Sequence, residues 1–137
     1  HPLDQIASGG ELSRVMLALK ATVEAGSRKK ASGAQRTLIF DEIDTGIGGR
    51  AAEAVGKKLK SLSRTSQVLC VTHLPQIATF ADHHYLIEKK RSGDRTKTMV
   101  RQITGPERTE EIARMISGAK LTETSLKHAE QMLKANA

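Results

Sequence analysis

Two short apolar runs flanking one amphipathic segment constrain this chain more than any other feature. Thr37-Leu38-Ile39-Phe40 is an apolar run stopped by Asp41-Glu42, and Val68 to Thr72 is a second one. Short runs without polar alternation are expected of strands covered on both faces in a parallel sheet. Between them, Arg50 to Leu62 sets Ala51, Val55, Leu59 and Leu62 on one face of a helix. Strand, helix, strand in that order implies a right-handed parallel crossover and hence an α/β fold.

Upstream, Leu12, Val15, Met16, Leu19 and Val23 recur at helical spacing, and Gly26 with Arg28-Lys29-Lys30 marks the end of that helix. Residues 27–35 are rich in Lys, Ser, Ala and Gly and read as an exposed loop. Downstream, a short helical piece over Gln76 to Phe80 leads into Tyr85-Leu86-Ile87, a turn at Ser92-Gly93-Asp94, and Thr96 to Ile103, the pattern of a hairpin. Gly105-Pro106 breaks the second arm. Two helices are expected to close the chain, one with Ile112, Met115 and Ile116 inward and one with Leu126, Ala129 and Leu133 inward. The fold class is therefore a mostly parallel sheet flanked by helices, followed by a hairpin and helices. A length of 137 residues suits one compact unit burying roughly two thirds of its unfolded surface.

Several function classes are set aside by composition. No apolar run approaches the roughly 18 residues of a membrane span, and the N-terminus lacks the order of a signal peptide, so the expectation is a protein neither membrane-spanning nor secreted. With Cys70 as the sole cysteine, in the apolar stretch Val68 to Val71, an internal disulfide is excluded and burial as a small hydrophobe is expected. Twenty-two Lys and Arg against 15 Asp and Glu favour polyanionic partners: nucleic acid, nucleotide or an acidic membrane surface. Phe40, Phe80 and Tyr85 are the only aromatics, so a DNA contact is expected to be made to phosphates rather than by base stacking. The opening at His1-Pro2, close upon an apolar helical pattern, reads as the start of a fragment.

The chemistry-bearing residues cluster at helix starts and strand ends. Ser8-Gly9-Gly10-Glu11 lies at a helix start, where free N–H groups and the positive end of the dipole favour a phosphate. The same residues also read as a capping box, with Ser8 as cap and Glu11 as its partner. Asp41 and Glu42 stand at the carboxyl end of a parallel strand, where ligands of open α/β sheets bind. Such an Asp can hold Mg²⁺, and a neighbouring Glu can deprotonate a water, a role worth roughly 10² to 10⁴ in rate. The alternative is that a strand simply ends on polar residues. His73 follows the second strand in the same way, so Asp41, Glu42 and His73 are expected on one sheet edge. Asp44-Thr45-Gly46-Ile47-Gly48-Gly49 is glycine-rich but lacks the Lys and Ser/Thr of a phosphate-cradling loop.

Taken in order, Ser8-Gly9-Gly10-Glu11, Leu38-Ile39-Phe40-Asp41-Glu42, Asp44-Thr45-Gly46 and His73 resemble the signature motif, Walker B, D-loop and H-loop of an ABC-type ATPase. Ile6 to Arg14, Phe40 to Gly49 and Val71 to Ala78 are similar to the RecN family of SMC-like DNA repair ATPases in particular, as is Thr122 to Ala129. The resemblance covers nearly the whole chain, residues 27–35 least. Ala7 stands where transporter ATPases usually have Leu, Glu11 where they often have Gln, and Asp44-Thr45-Gly46 replaces the usual D-loop. These departures favour the SMC-like branch.

The resemblance implies that residues 1–137 are the C-terminal lobe of an ABC/SMC-type P-loop NTPase head, without Walker A. It further implies a cytoplasmic, nucleoid-associated bacterial ATPase in which two heads sandwich ATP between them. In such a dimer Ser8, Gly9, Gly10 and Glu11 would face the partner's ATP and Asp41 would hold Mg²⁺. Glu42 would be the catalytic base, His73 would sense the γ-phosphate and Asp44 would couple the two sites. The implied partners are a second head, an N-terminal Walker A half and DNA, with no membrane. Two other readings stay open on sequence alone: the ATPase subunit of an ABC transporter, and a non-enzymatic basic module that binds DNA phosphates with Asp41-Glu42 structural.

Overall fold

A computed structural model describes residues 36–41, 43 and 45–137. The chain divides after Phe80 into two compact units where its length alone suggested one. The helix expected from Leu12, and the glycine turn before it, lie outside the described residues.

The first unit is built on the expected crossover. Strand β1 (Arg36–Asp41), helix α1 (Gly49–Leu62) and strand β2 (Ser66–Val71) follow one another, and β1 pairs with β2 in parallel. The register sets Leu38 beside Val68, Phe40 beside Cys70 and Asp41 beside Val71. Leu38 and Phe40 pack with Ala52, Val55, Leu59 and Leu62 of α1 in one buried cluster, and Val68 and Cys70 pack against it. Cys70 thus serves as a small apolar side chain. The opposite face differs from the expectation of strands covered on both sides: Ile39, Leu69 and Val71 remain exposed. Side chains alternate along each strand, and α1 covers the face that carries Leu38 and Phe40.

Helix α2 (Pro75–Ala78) starts on a proline, where the missing N–H costs nothing, and lies against α1. Their closeness depends on Gly56. A Cβ there would lie 2.3 Å from Cδ2 of the buried Phe80 ring and 3.1 Å from the Gln76 carbonyl oxygen.

The second unit comprises strand β3 (His84–Ser92), strand β4 (Arg95–Ile103), helix α3 (Gly105–Ser117) and helix α4 (Glu123–Ala135). The two strands form an antiparallel ribbon turning at Gly93-Asp94, with Gly93 at φ 63°, a conformation that glycine takes without strain. Gly105 at φ 56° then redirects the chain into α3, with Pro106 in its first turn. The α3 and α4 helices pack on each other, burying Ile112, Ala113, Ser125 and Ala129. Met115, Ile116, Leu126 and Leu133 are half-buried around them, so the faces expected from the spacing are the faces observed. Thr122 caps α4: its hydroxyl accepts from Ser125 N–H, and its own N–H donates to the Ser125 hydroxyl, both at 3.0 Å. Such caps are worth about 1 kcal/mol.

Where the ribbon meets the helices, Arg108 donates from Nη2 to the Ala81 carbonyl at 2.7 Å, and His84 is half-buried nearby with no hydrogen-bond partner for its Nδ1. Burial, followed by the Arg108 charge, lowers the His84 pKa below its ordinary value, so the folded unit favours the neutral imidazole.

Two outcomes are expected from this architecture. Gly56→Ala should gain up to about 1 kcal/mol of helix propensity yet lose more to the collision with Phe80, for which overpacking penalties of about 1–3 kcal/mol apply. A urea titration checks this, and an unchanged or raised midpoint would contradict it. For His84, a depressed folded pKa means that the unfolded chain binds more protons. The stability it contributes is therefore present above about pH 6.5 and lost as pH falls through the lower folded value. Thermal midpoints recorded across that range should fall more steeply for the wild type than for His84→Gln.

Candidate functional site

The carboxyl edge of the β1–β2 pair is where the sequence pattern predicts Asp41, Glu42 and His73 to lie. Because the strands are parallel and Asp41 pairs with Val71, both chains leave the sheet at the same level, on neighbouring strands roughly 4.8 Å apart. Asp41 is the last residue of β1, and His73 comes two residues after the end of β2. Both are exposed to solvent.

The turn that carries His73 is held locally. The Thr72 hydroxyl accepts a hydrogen bond from Leu74 N–H at 3.0 Å, closing the chain around His73. Leu74 is the extended N-cap of α2, and its carbonyl accepts from the N–H groups of Ile77 and Ala78, each at 3.1 Å. Ile77 is buried in the same cluster as Phe40 and Val55. The core that fixes the end of β1 thereby also anchors the segment immediately after His73.

The loop between β1 and α1 is anchored from within. Ile47 is buried, and Ile43 packs against the core. Between these two apolar anchors Gly46 takes φ 79°, a left-handed turn open to glycine. Gly48 then caps α1 with extended backbone, its carbonyl accepting from Ala52 N–H at 2.9 Å. Gln76 reaches the start of α1, its Nε2 coming 3.6 Å from where a Gly49 Cβ would stand. Sequence reasoning missed this position, since nothing in the local pattern pairs Gln76 with Gly49.

Of the residues singled out from sequence, the structure therefore brings Asp41 and His73 to one edge. Glu42 and Asp44 lie outside the described residues, although their neighbours at positions 41, 43 and 45 are described. Ser8, Gly9, Gly10 and Glu11 lie outside them as well. Among the described residues no three His, Cys, Asp or Glu side chains are grouped to hold a metal ion. A Mg²⁺ site in a phosphate-transfer enzyme asks for less, one or two carboxylates with the remaining positions filled by phosphate and water, and Asp41 at the strand tip fits that demand. Among the described residues no helix is long and apolar enough to cross a membrane.

No protein-family model matches the chain. Whole-sequence similarity is nevertheless high. The chain is 48% identical to the DNA repair protein RecN of Treponema pallidum over 137 residues, all of this chain and 23% of that protein. It is 46% identical to RecN of Bacillus subtilis over 132 residues and 51% identical to RecN of Deinococcus radiodurans over 132 residues, in each case 96% of this chain and 22% of the relative. The chain thus spans between a fifth and a quarter of the length of these relatives, in their C-terminal part. Among solved structures, one from work on ATP-driven dimerization and DNA-stimulated activation of SMC ATPases matches with a TM-score of 0.51 at 20% identity, covering 75% of this chain and 61% of that one. At that identity the likeness concerns the fold, which is that of a partial α/β head of the ABC/SMC type.

Proposed function

Taking the chain as a member of the RecN family, matched along its whole length, we propose that it is the C-terminal half of an ATP-hydrolysing head of a DNA repair protein. The observation that carries this reading is the delivery of Asp41 and His73 to one sheet edge by adjacent parallel strands. Open α/β sheets bind their ligands at that edge.

In the complete protein each residue has a separate task. Asp41 would hold Mg²⁺, whose charge, when it is bound, offsets that of the phosphate oxygens. Glu42, following Asp41, would orient the attacking water and accept its proton. His73, on the neighbouring tip, would hydrogen-bond the γ-phosphate and report its presence. Ser8, Gly9, Gly10 and Glu11 would present backbone N–H groups of a helix start to ATP held by a second head, an arrangement suited to an anion. Asp44 would carry the state of one nucleotide site across the interface to the other. The lysine-bearing phosphate loop would come from the N-terminal half, and duplex DNA would be the polymer on which the paired heads act.

Two assays test this division of labour. In the complete protein Glu42→Gln should slow ATP hydrolysis by a factor of roughly 10² or more and leave ATP-bound heads dimeric in light scattering; unchanged turnover would remove Glu42 from its role. The chain by itself, without a phosphate loop, should show no ATP turnover that depends on Glu42. Turnover abolished by Glu42→Gln in the isolated chain would overturn the proposal that the site is split.

A further inference from the structure

The β3–β4 ribbon carries a charge distribution that its own fold does not account for. Each arm is nine residues long, or about 30 Å at roughly 3.3 Å per residue. Its root is secured: Ile103 is 1% exposed, and Arg101 bridges Glu107 at 2.7 Å and Glu88 at 3.8 Å. Beyond Glu88 the ribbon stands clear, with every residue from Lys89 to Val100 exposed.

That free part holds Lys89, Lys90, Arg91, Arg95 and Lys97 against a single carboxylate, Asp94, in the turn. None of these five cations makes an ion pair among the described residues, whereas Arg101 and Arg114 each find a glutamate. Lys90 stands directly opposite Lys97 in the register. Like charges in that relation destabilise a strand pair, by up to about 1 kcal/mol. Lysines on exposed strands also deter edge-to-edge association. That role does not call for cations facing each other across the ladder, nor for an excess of five to one.

The register also distributes the charges. Directly paired residues share a face, so Lys90, Arg95 and Lys97 lie on one face and Lys89 and Arg91 on the other. A flat anionic bilayer would meet only one of these faces. A groove of duplex DNA has a phosphate row on either side, and the major groove, about 12 Å wide, admits a two-stranded ribbon. We propose that the tip of the β3–β4 ribbon is a phosphate-binding finger that enters a groove of double-stranded DNA, with Lys89, Lys90, Arg91, Arg95 and Lys97 neutralising backbone phosphates. This rests on the reading of the complete protein as one that acts on DNA, and it names the element that grips the polymer.

The test uses the full-length protein and a fluorescein-labelled DNA duplex, with binding followed by anisotropy over a series of salt concentrations. Each phosphate contact contributes about −0.9 to the slope of log K against log salt. The variant K90Q/R91Q/K97Q should therefore flatten the slope by roughly 2 to 3 and weaken binding at least tenfold at low salt. Far-UV circular dichroism, together with a second variant, K89Q/R95Q, that leaves the Lys90–Lys97 pair in place, separates loss of contacts from loss of the ribbon; K89Q/R95Q should flatten the slope by roughly 2. An unchanged slope in both variants, with wild-type affinity retained, would overturn the finger while leaving DNA binding elsewhere on the protein. Absence of duplex binding by the wild type at low salt would overturn the DNA reading itself and the finger with it. A loss of binding to phosphatidylserine vesicles with DNA affinity untouched would overturn it in favour of a membrane role.

Discussion

The burial of Leu38 and Phe40 against Val55 and Leu59 is the contact on which the first unit depends. It holds β1 to α1, and because α1 leads directly into β2, it also fixes which strand lies beside β1 and in which direction. A parallel pair cannot be joined by a tight turn; it needs a crossover, and one amphipathic helix is the shortest that covers the sheet. From that packing follows the level at which the chain leaves the sheet after Asp41 and after Val71. The edge that carries Asp41 and the His73 turn is thus a consequence of core packing, with the buried Phe40 directly before Asp41.

The same core extends into the turns that follow β1 and β2. Ile43 and Ile47 tie the loop after β1 to it, and Ile77 ties the segment after His73. Exposed side chains carried on turns with buried anchors lose little entropy on meeting a ligand, since the backbone is already ordered. The exposed Ile39, Leu69 and Val71 belong to the other side of that sheet. They follow from alternation on a strand pair whose other face packs on α1.

In the second unit the balance differs. Helices α3 and α4 bury a small core of Ile112, Ala113 and Ala129, and the ribbon extends from it, tied down at Ile103 and Arg101. A two-stranded ribbon is marginal by itself and depends on such attachment at its root. His84 and Arg108 lie near this root, and desolvation there disfavours the charged form of each. The outer ribbon, free of packing demands, can hold one sign of charge that a core-facing strand would reject.

Several of these features were present in the amino-acid order itself. Apolar runs ended by Asp41 and preceding His73, the face of α1, the Gly93 turn and the two closing helices are written in periodicity and turn chemistry, which act over a few residues. So was the resemblance to RecN, carried by short motifs in order along the chain. Other features depend on contacts distant in sequence and needed the folded chain. Which strands pair and in what register decided that Asp41 and the His73 turn lie at one sheet edge. The approach of Phe80 to Gly56, the reach of Gln76 to the start of α1, and the burial of His84 arise between segments with no shared periodicity. Register alone set Lys90 against Lys97 and divided the ribbon's charges between two faces, because a strand's sequence states which side chains alternate but not what stands opposite them.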